Sequence, residues 1–100
     1  MFRLDGKTAL ITGAGSGIGR QIALLFGKQG AHVTIGDLND SAAQAVADEI
    51  MTGGGSANAL HLDVTQLDSA NAAVSSVAAE RGHLDILVNN AGIGMVGNLT

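Results

Sequence analysis

The first chemistry in this chain lies in one glycine-rich stretch, Gly13-Ala14-Gly15-Ser16-Gly17-Ile18-Gly19. It stands between a short apolar run and a helical pattern. A turn in that place aims backbone N–H groups and the positive end of the helix dipole at one point, which suits a phosphate. Glycine lets the backbone approach a pyrophosphate closely and lets the helix pack tightly on the strand. Several glycines in one turn cost conformational entropy, so a turn without a ligand is the poorer explanation. The spacing separates the nucleotide loops. G-x-G-x-x-G fails, because Ile18 stands where the last glycine would follow Gly13 and Gly15. A Walker loop fails too, since no Lys-Ser or Lys-Thr follows. The pattern present is Thr-Gly-x-x-x-Gly-x-Gly, at Thr12, Gly13, Gly17 and Gly19.

Three further groups follow later apolar runs. Asp37, with Leu38 beside it, comes 24 residues after Gly13. A carboxylate there can accept hydrogen bonds from ribose 2′- and 3′-hydroxyls and would repel a 2′-phosphate; a solvated turn residue is the plain alternative. Asp63-Val64 follows the third run, where taken alone Asp63 is as well explained by a turn or a helix start. Asn89-Asn90-Ala91-Gly92 leaves the fourth, where an Asn-Asn pair alone would be a turn. His32, His61 and His83 have no cysteine and no carboxylate at ligand spacing, so packing or surface roles are expected and no metal site.

These groups need elements to hold them. Thr8-Ala9-Leu10-Ile11-Thr12 reads as a strand buried on both faces. From Gly17 the period turns helical, with Ile18, Ile22, Leu25 and Phe26 on one face and Gly30 at the C-terminal cap position. Residues 32–36 form a second strand. Ser41 and Gln44 have capping-box spacing, ahead of a stripe of Ala43, Val46, Ala47 and Ile50 that ends at Gly53-Gly54-Gly55. Residues 57–62 form a third strand. Thr65 and Asp68 repeat the capping-box spacing before Ala70, Ala73, Val74, Val77 and Ala78, and Gly82 stops that helix. Residues 84–88 form a fourth strand, and 90–100 start no recognisable element. Strand and helix alternate over short connections, which calls for one parallel α/β sheet with right-handed crossovers and helices on both faces. All of residues 1–100 belong to one domain.

Composition narrows the partners. Of 100 residues 46% are apolar and 14% charged, with a net charge of −4 and only Phe2 and Phe26 as aromatics. The core must therefore be built from Ala, Val, Leu and Ile. Arg3, Lys7, Arg20, Lys28 and Arg81 are scattered, which leaves no basic stripe for nucleic acid or for a membrane surface. No apolar run approaches the ~18 residues of a membrane span. No apolar segment of a secretory signal is present near Met1, and the cytoplasm is the default expectation. The absence of cysteine excludes disulfides and zinc–thiolate sites.

Taken in order, the Thr-Gly-x-x-x-Gly-x-Gly loop, Asp37, Asp63-Val64 and Asn89-Asn90-Ala91-Gly92 resemble the N-terminal, cofactor-binding part of the short-chain dehydrogenase/reductase family. The resemblance implies a Rossmann-like sheet of four parallel strands in the order 3-2-1-4 with three helices, an incomplete doubly wound fold. It implies a cofactor set of Gly13, Ser16, Gly17, Ile18, Gly19, Asp37, Leu38, Asp63, Val64, Asn90, Ala91 and Gly92. By resemblance Asp63 hydrogen-bonds the adenine and Val64 packs on it, Asn90 and Ala91-Gly92 lie along the riboses, and Asn89 helps hold the sheet. Ser16 resembles the position where NADP users often carry Arg or Lys. With Asp37, that favours NAD as the cofactor.

The family's catalytic Ser, Tyr and Lys lie beyond this stretch, and the chain contains no tyrosine. No catalytic residue is therefore assigned, and the 100 residues are expected to bind nucleotide without turnover. Other readings stay open: a ligand-free scaffold, an S-adenosylmethionine-binding methyltransferase fragment, or a sugar-nucleotide epimerase relative, whose glycine spacing Ser16 breaks. The fourth strand is expected at an open sheet edge, where an apolar strand invites a second copy and a homodimer.

Overall fold

A computed structural model describes residues 3–15, 17–63 and 67–90. The elements run β1 (Thr8–Thr12), α1 (Gly17–Lys28), β2 (His32–Asp37), α2 (Asp40–Thr52), β3 (Ser56–His61), α3 (Leu67–Arg81) and β4 (Ile86–Asn89). The strands form one parallel sheet in the order β3-β2-β1-β4. The parallel sheet is the one the alternation of periods calls for, and its order is the Rossmann-like one that the family resemblance implies.

β1 occupies the middle and all five of its residues are buried, as a strand covered on both faces requires. Leu10 faces Thr34 of β2 on one side and Leu87 of β4 on the other. Side chains alternate across the sheet. Ile11, Val33 and Ile35 join Ala23 of α1 and Ala43, Val46, Ala47 and Ile50 of α2 in one core, with Ile86 and Val88 packed against it. Leu10 and Leu62 join Ala73 and Val77 of α3 on the opposite face, with Leu60 and Leu87 beside them. Among the described residues no helix is long and apolar enough to cross a membrane.

Four elements differ from the sequence reading at their boundaries. α2 is capped by Asn39 and not by Ser41: the Asn39 side chain accepts from Ala42 N at 3.0 Å, from an extended backbone with φ −89° and ψ 101°. An Asx residue is a strong N-cap, and Gln44 is instead bonded to Asp48 at 2.9 Å. β2 runs one residue further, to include Asp37, and β3 covers Ser56–His61. β4 begins at Ile86 because Asp85 meets β1 differently, its backbone N donating to Thr8 O at 2.9 Å while its carboxylate accepts from Thr8 N at 2.8 Å. Thr65 of the other capping pattern lies outside the described residues.

Candidate functional site

The strand order reverses its direction of growth at β1, with β2 added on one side and β4 on the other. In open parallel sheets, ligands bind outside the carboxyl ends of the strands at such a switch point. The glycine loop leaves β1 there. Gly13 and Gly17 have φ of 64° and 60°, a left-handed backbone that residues with a Cβ seldom adopt. Among the described residues, a Cβ on Gly17 would meet nothing within 4 Å, so they leave the loop open on that side. On Gly19, by contrast, it would lie 2.5 Å from Gly13 O and 2.6 Å from Asn90 Nδ2. Gly19 therefore lets α1 sit directly against the loop. The first turn of α1 carries no acidic residue of its own to compete for the dipole there.

Asp37 stands across the mouth of this loop. Its Oδ2 accepts from Gly15 N at 2.8 Å and its Oδ1 accepts from Asn39 N at 3.0 Å. A carboxylate has about four lone-pair sites, so acceptor capacity is left on both oxygens. Leu62 N donates to Asp37 O at 3.0 Å, which brings the end of β3 and the half-buried Asp63 to the same end of the sheet. Ile18, beside the loop, and Leu38, beside the acid, are 71% and 56% exposed. Apolar side chains left open at a cleft can flank the flat or apolar parts of a ligand.

The asparagines tie β4 to the loop. Thr12 Oγ1 donates to Asn89 Oδ1 at 2.9 Å and accepts from Asn90 N at 3.1 Å, while Asn90 Nδ2 donates to Gly13 O at 3.4 Å. Thr12 is 5% exposed, so these bonds also satisfy a buried hydroxyl. Sequence reading placed Thr12 in the motif without giving it a task; a hydroxyl residue closing a buried strand just ahead of a glycine loop was the available signal. The structure thus gathers Gly13, Gly17, Ile18, Gly19, Asp37, Leu38, Asp63 and Asn90 at one end of the sheet. Ser16, Val64, Ala91 and Gly92 lie outside the described residues.

The histidines are engaged elsewhere. His32 meets Ser56 Oγ and Asn58 Oδ1 at 2.5 and 2.8 Å, and His61 pairs with Asp40 at 2.7 Å. His83 Nε2 lies 2.9 Å from Asp85 Oδ2 and 3.1 Å from Gly6 O, at the amino end of β1 and away from the loop. Among the described residues no three His, Asp or Glu side chains converge as a metal site would need.

The family model for short chain dehydrogenases matches residues 7–100, and the chain belongs to that family. The methyltransferase alternative has no support. Among its relatives, the 7alpha-hydroxysteroid dehydrogenase of Escherichia coli is 49% identical over 93 residues, covering 93% of this chain and 36% of that enzyme. A solved 7alpha-hydroxysteroid dehydrogenase, complexed with NADH and 7-oxo glycochenodeoxycholic acid, superposes with a TM-score of 0.88 at 48% identity, over 92% of this chain and 36% of the other. A metagenomic short-chain oxidoreductase in complex with NADP gives 0.86 at 40% identity, over 91% of this chain and 41% of that one. The chain thus spans little more than a third of the length of these relatives.

Proposed function

We propose that this chain is the NAD-binding portion of an oxidoreductase that moves hydride between NAD(H) and an alcohol or carbonyl carbon. The observation that carries this is the Asp37 carboxylate, bonded to Gly15 N across the mouth of the glycine loop at the carboxyl ends of β1 and β2. The donor set fits a dinucleotide. The open side of the loop at Gly17 and the acid-free start of α1 suit a pyrophosphate, and the spare lone pairs of Asp37 suit a ribose diol. Gly13, Ser16, Gly17, Ile18 and Gly19 would hold the pyrophosphate side. Asp37, Leu38, Asp63 and Val64 would hold the adenosine, and Asn90, Ala91 and Gly92 would follow the riboses. When bound, the nicotinamide supplies the hydride chemistry.

Solved relatives carry NADH in one case and NADP in another. Selectivity is therefore assigned from this chain's own residues. A 2′-phosphate would meet the negative charge of Asp37 with no cation at Ser16 to offset it. With no tyrosine among the 100 residues, the chain is assigned binding and orientation without turnover. We place residues 1–100 in one nucleotide-binding half-domain that works in the cytoplasm. The 100-residue chain is further proposed to form a homodimer through the edge strand β4, whose Ile86, Leu87 and Val88 are only half-buried. Light scattering that gives a monomer mass at high concentration would remove the dimer alone.

Calorimetric titration tests the main proposal. NAD is expected to bind roughly tenfold or more tightly than NADP, the size of effect a charged hydrogen-bonding partner commands, and S-adenosylmethionine is expected to give no heat. Equal binding of both dinucleotides would remove the role given to Asp37. No binding of either would leave the ligand-free scaffold.

A further inference from the structure

We infer that Gly15 is a specificity-positioning residue: its N–H and its missing side chain together lock the Asp37 carboxylate in the orientation that admits a ribose diol and rejects a 2′-phosphate. The inference rests on the ribose role proposed for Asp37, and it concerns a residue outside the Thr-Gly-x-x-x-Gly-x-Gly pattern.

Rejection of an anion by a carboxylate requires that the carboxylate be unable to swing away. Asp37 is a short side chain at the last position of β2, and a free rotamer could turn it from an incoming phosphate at modest cost. Two backbone donors oppose that rotation. Asn39 N holds Oδ1 from the chain's own turn, and Gly15 N holds Oδ2 from the facing loop. Only the second bond links the acid to the element that would carry the pyrophosphate. It therefore sets the distance between the two halves of the site. Positioned groups of this kind derive their selectivity from their supporting contacts.

The room for that bond exists because position 15 has no side chain. A Cβ there would lie 2.7 Å from Asp37 Oδ2, 3.2 Å from Asp37 Cγ and 2.8 Å from Ala42 Cβ in the first turn of α2. Gly15 is not among the glycines with positive φ, so alanine would suffer no backbone strain at this position. The steric conflict is local. The carboxylate is the part most free to move, and Ala42 the part least free.

The test uses the full 100-residue chain with ADP-ribose and 2′-phospho-ADP-ribose as probes. Amide hydrogen exchange of the free chain comes first: Gly15 N–H is expected to be protected and to lose that protection in Asp37→Ala. Equal exchange in the two proteins would mean that the bond is absent and would overturn the inference, whatever the chain binds. In titrations, Gly15→Ala is expected to shrink the wild-type preference for ADP-ribose by about tenfold, the effect of losing one charge-assisted bond. The same change in an Asp37→Ala background is expected to shrink it no further, since the two residues act as one unit. Gly15→Ala combined with Ala42→Gly removes the clash with the helix and leaves the clash with the carboxylate. It should reproduce the loss of preference in a stably folded chain. A preference unchanged by Gly15→Ala, or reduced equally with and without Asp37, overturns the inference and leaves the ribose role of Asp37 standing. A wild type that binds neither probe removes that role and this inference together.

Discussion

Both ends of the sheet set an aspartate against a backbone N–H, and the two differ in what surrounds the bond. At the amino end, Asp85 accepts from Thr8 N at 2.8 Å, and its own N donates to Thr8 O at 2.9 Å. His83, the Lys7 O to His32 N bond at 2.9 Å and the Leu4 N to Gln29 O bond at 2.7 Å close that end with partners from within the chain. At the carboxyl end, Asp37 accepts from Gly15 N at the same 2.8 Å. There the donor belongs to a loop with left-handed glycines, an open side at Gly17, and exposed apolar side chains at Ile18 and Leu38. One aspartate continues a ladder. The other holds a loop left open at Gly17 among the described residues, so the sheet has a sealed end and, under the proposed function, a receptive one.

The largest effect is expected where the receptive end is also tightly packed. Gly19→Ala drives a methyl group against Gly13 O and Asn90 Nδ2, and backbone cannot yield as a side-chain tip can. Overpacking of this kind costs about 1–3 kcal/mol. Urea denaturation should register that loss, and ADP-ribose titration should give an affinity lower by about a hundredfold if the loop moves by even an ångström. A normal affinity in this variant would mean that the loop is not the binding element.

Asp85→Ala should sharpen the contrast. It strips an acceptor from Thr8 N, in a residue 2% exposed, and an unmet buried donor costs about 1–3 kcal/mol. Stability is expected to fall by that amount while the affinity for ADP-ribose stays at the wild-type value. Loss of affinity in a folded Asp85→Ala chain would show that the two ends are coupled.

The smallest effect lies at the sealed end near the N-terminus. The Asp5 carboxyl is held below its ordinary value by the hydrogen bond from Arg3, whose Nη2 donates to Asp5 Oδ1 at 2.8 Å. A carboxyl with a depressed folded pKa contributes stability above its unfolded value, and the contribution is lost as pH falls through the folded value. Both partners are exposed, so the contribution is slight. Arg3→Ala should lower the melting temperature marginally at neutral pH, and the two melting curves should merge in acid. A gap that widens in acid would reverse the sign and exclude the pair as its source.

Much of this was legible in the sequence for identifiable reasons. Residues 8–12 and 32–36 announce strands because both faces of the central strands are apolar or small, and the glycine loop announces itself by spacing. The N-cap differs because Ser41 and Gln44 satisfy a local rule, whereas the bond from Asn39 N to Asp37 Oδ1 fixes the turn two residues earlier. The start of β4 was placed too early because Leu84 is apolar; it packs with the α3-side cluster, while Ile86 and Val88 pack on the other face. Within the site, Asp37 was legible as an acid at the end of a strand. Its bond to Gly15 was not, because it joins residues 22 apart through a backbone N–H that no residue type encodes. The bonds of Thr12 to Asn89 and Asn90 were hidden in the same way, since they form only when β4 lands beside β1.

The central claim is that the carboxyl end of this sheet recognises the adenosine and pyrophosphate of a dinucleotide. Paired calorimetric titrations of the 100-residue chain with ADP-ribose and with NAD test it most directly. Every contact assigned above lies on the half that the two ligands share. Their binding free energies should therefore agree to within about 0.6 kcal/mol. NAD binding more than about tenfold tighter than ADP-ribose, or no heat from either ligand, would contradict the claim.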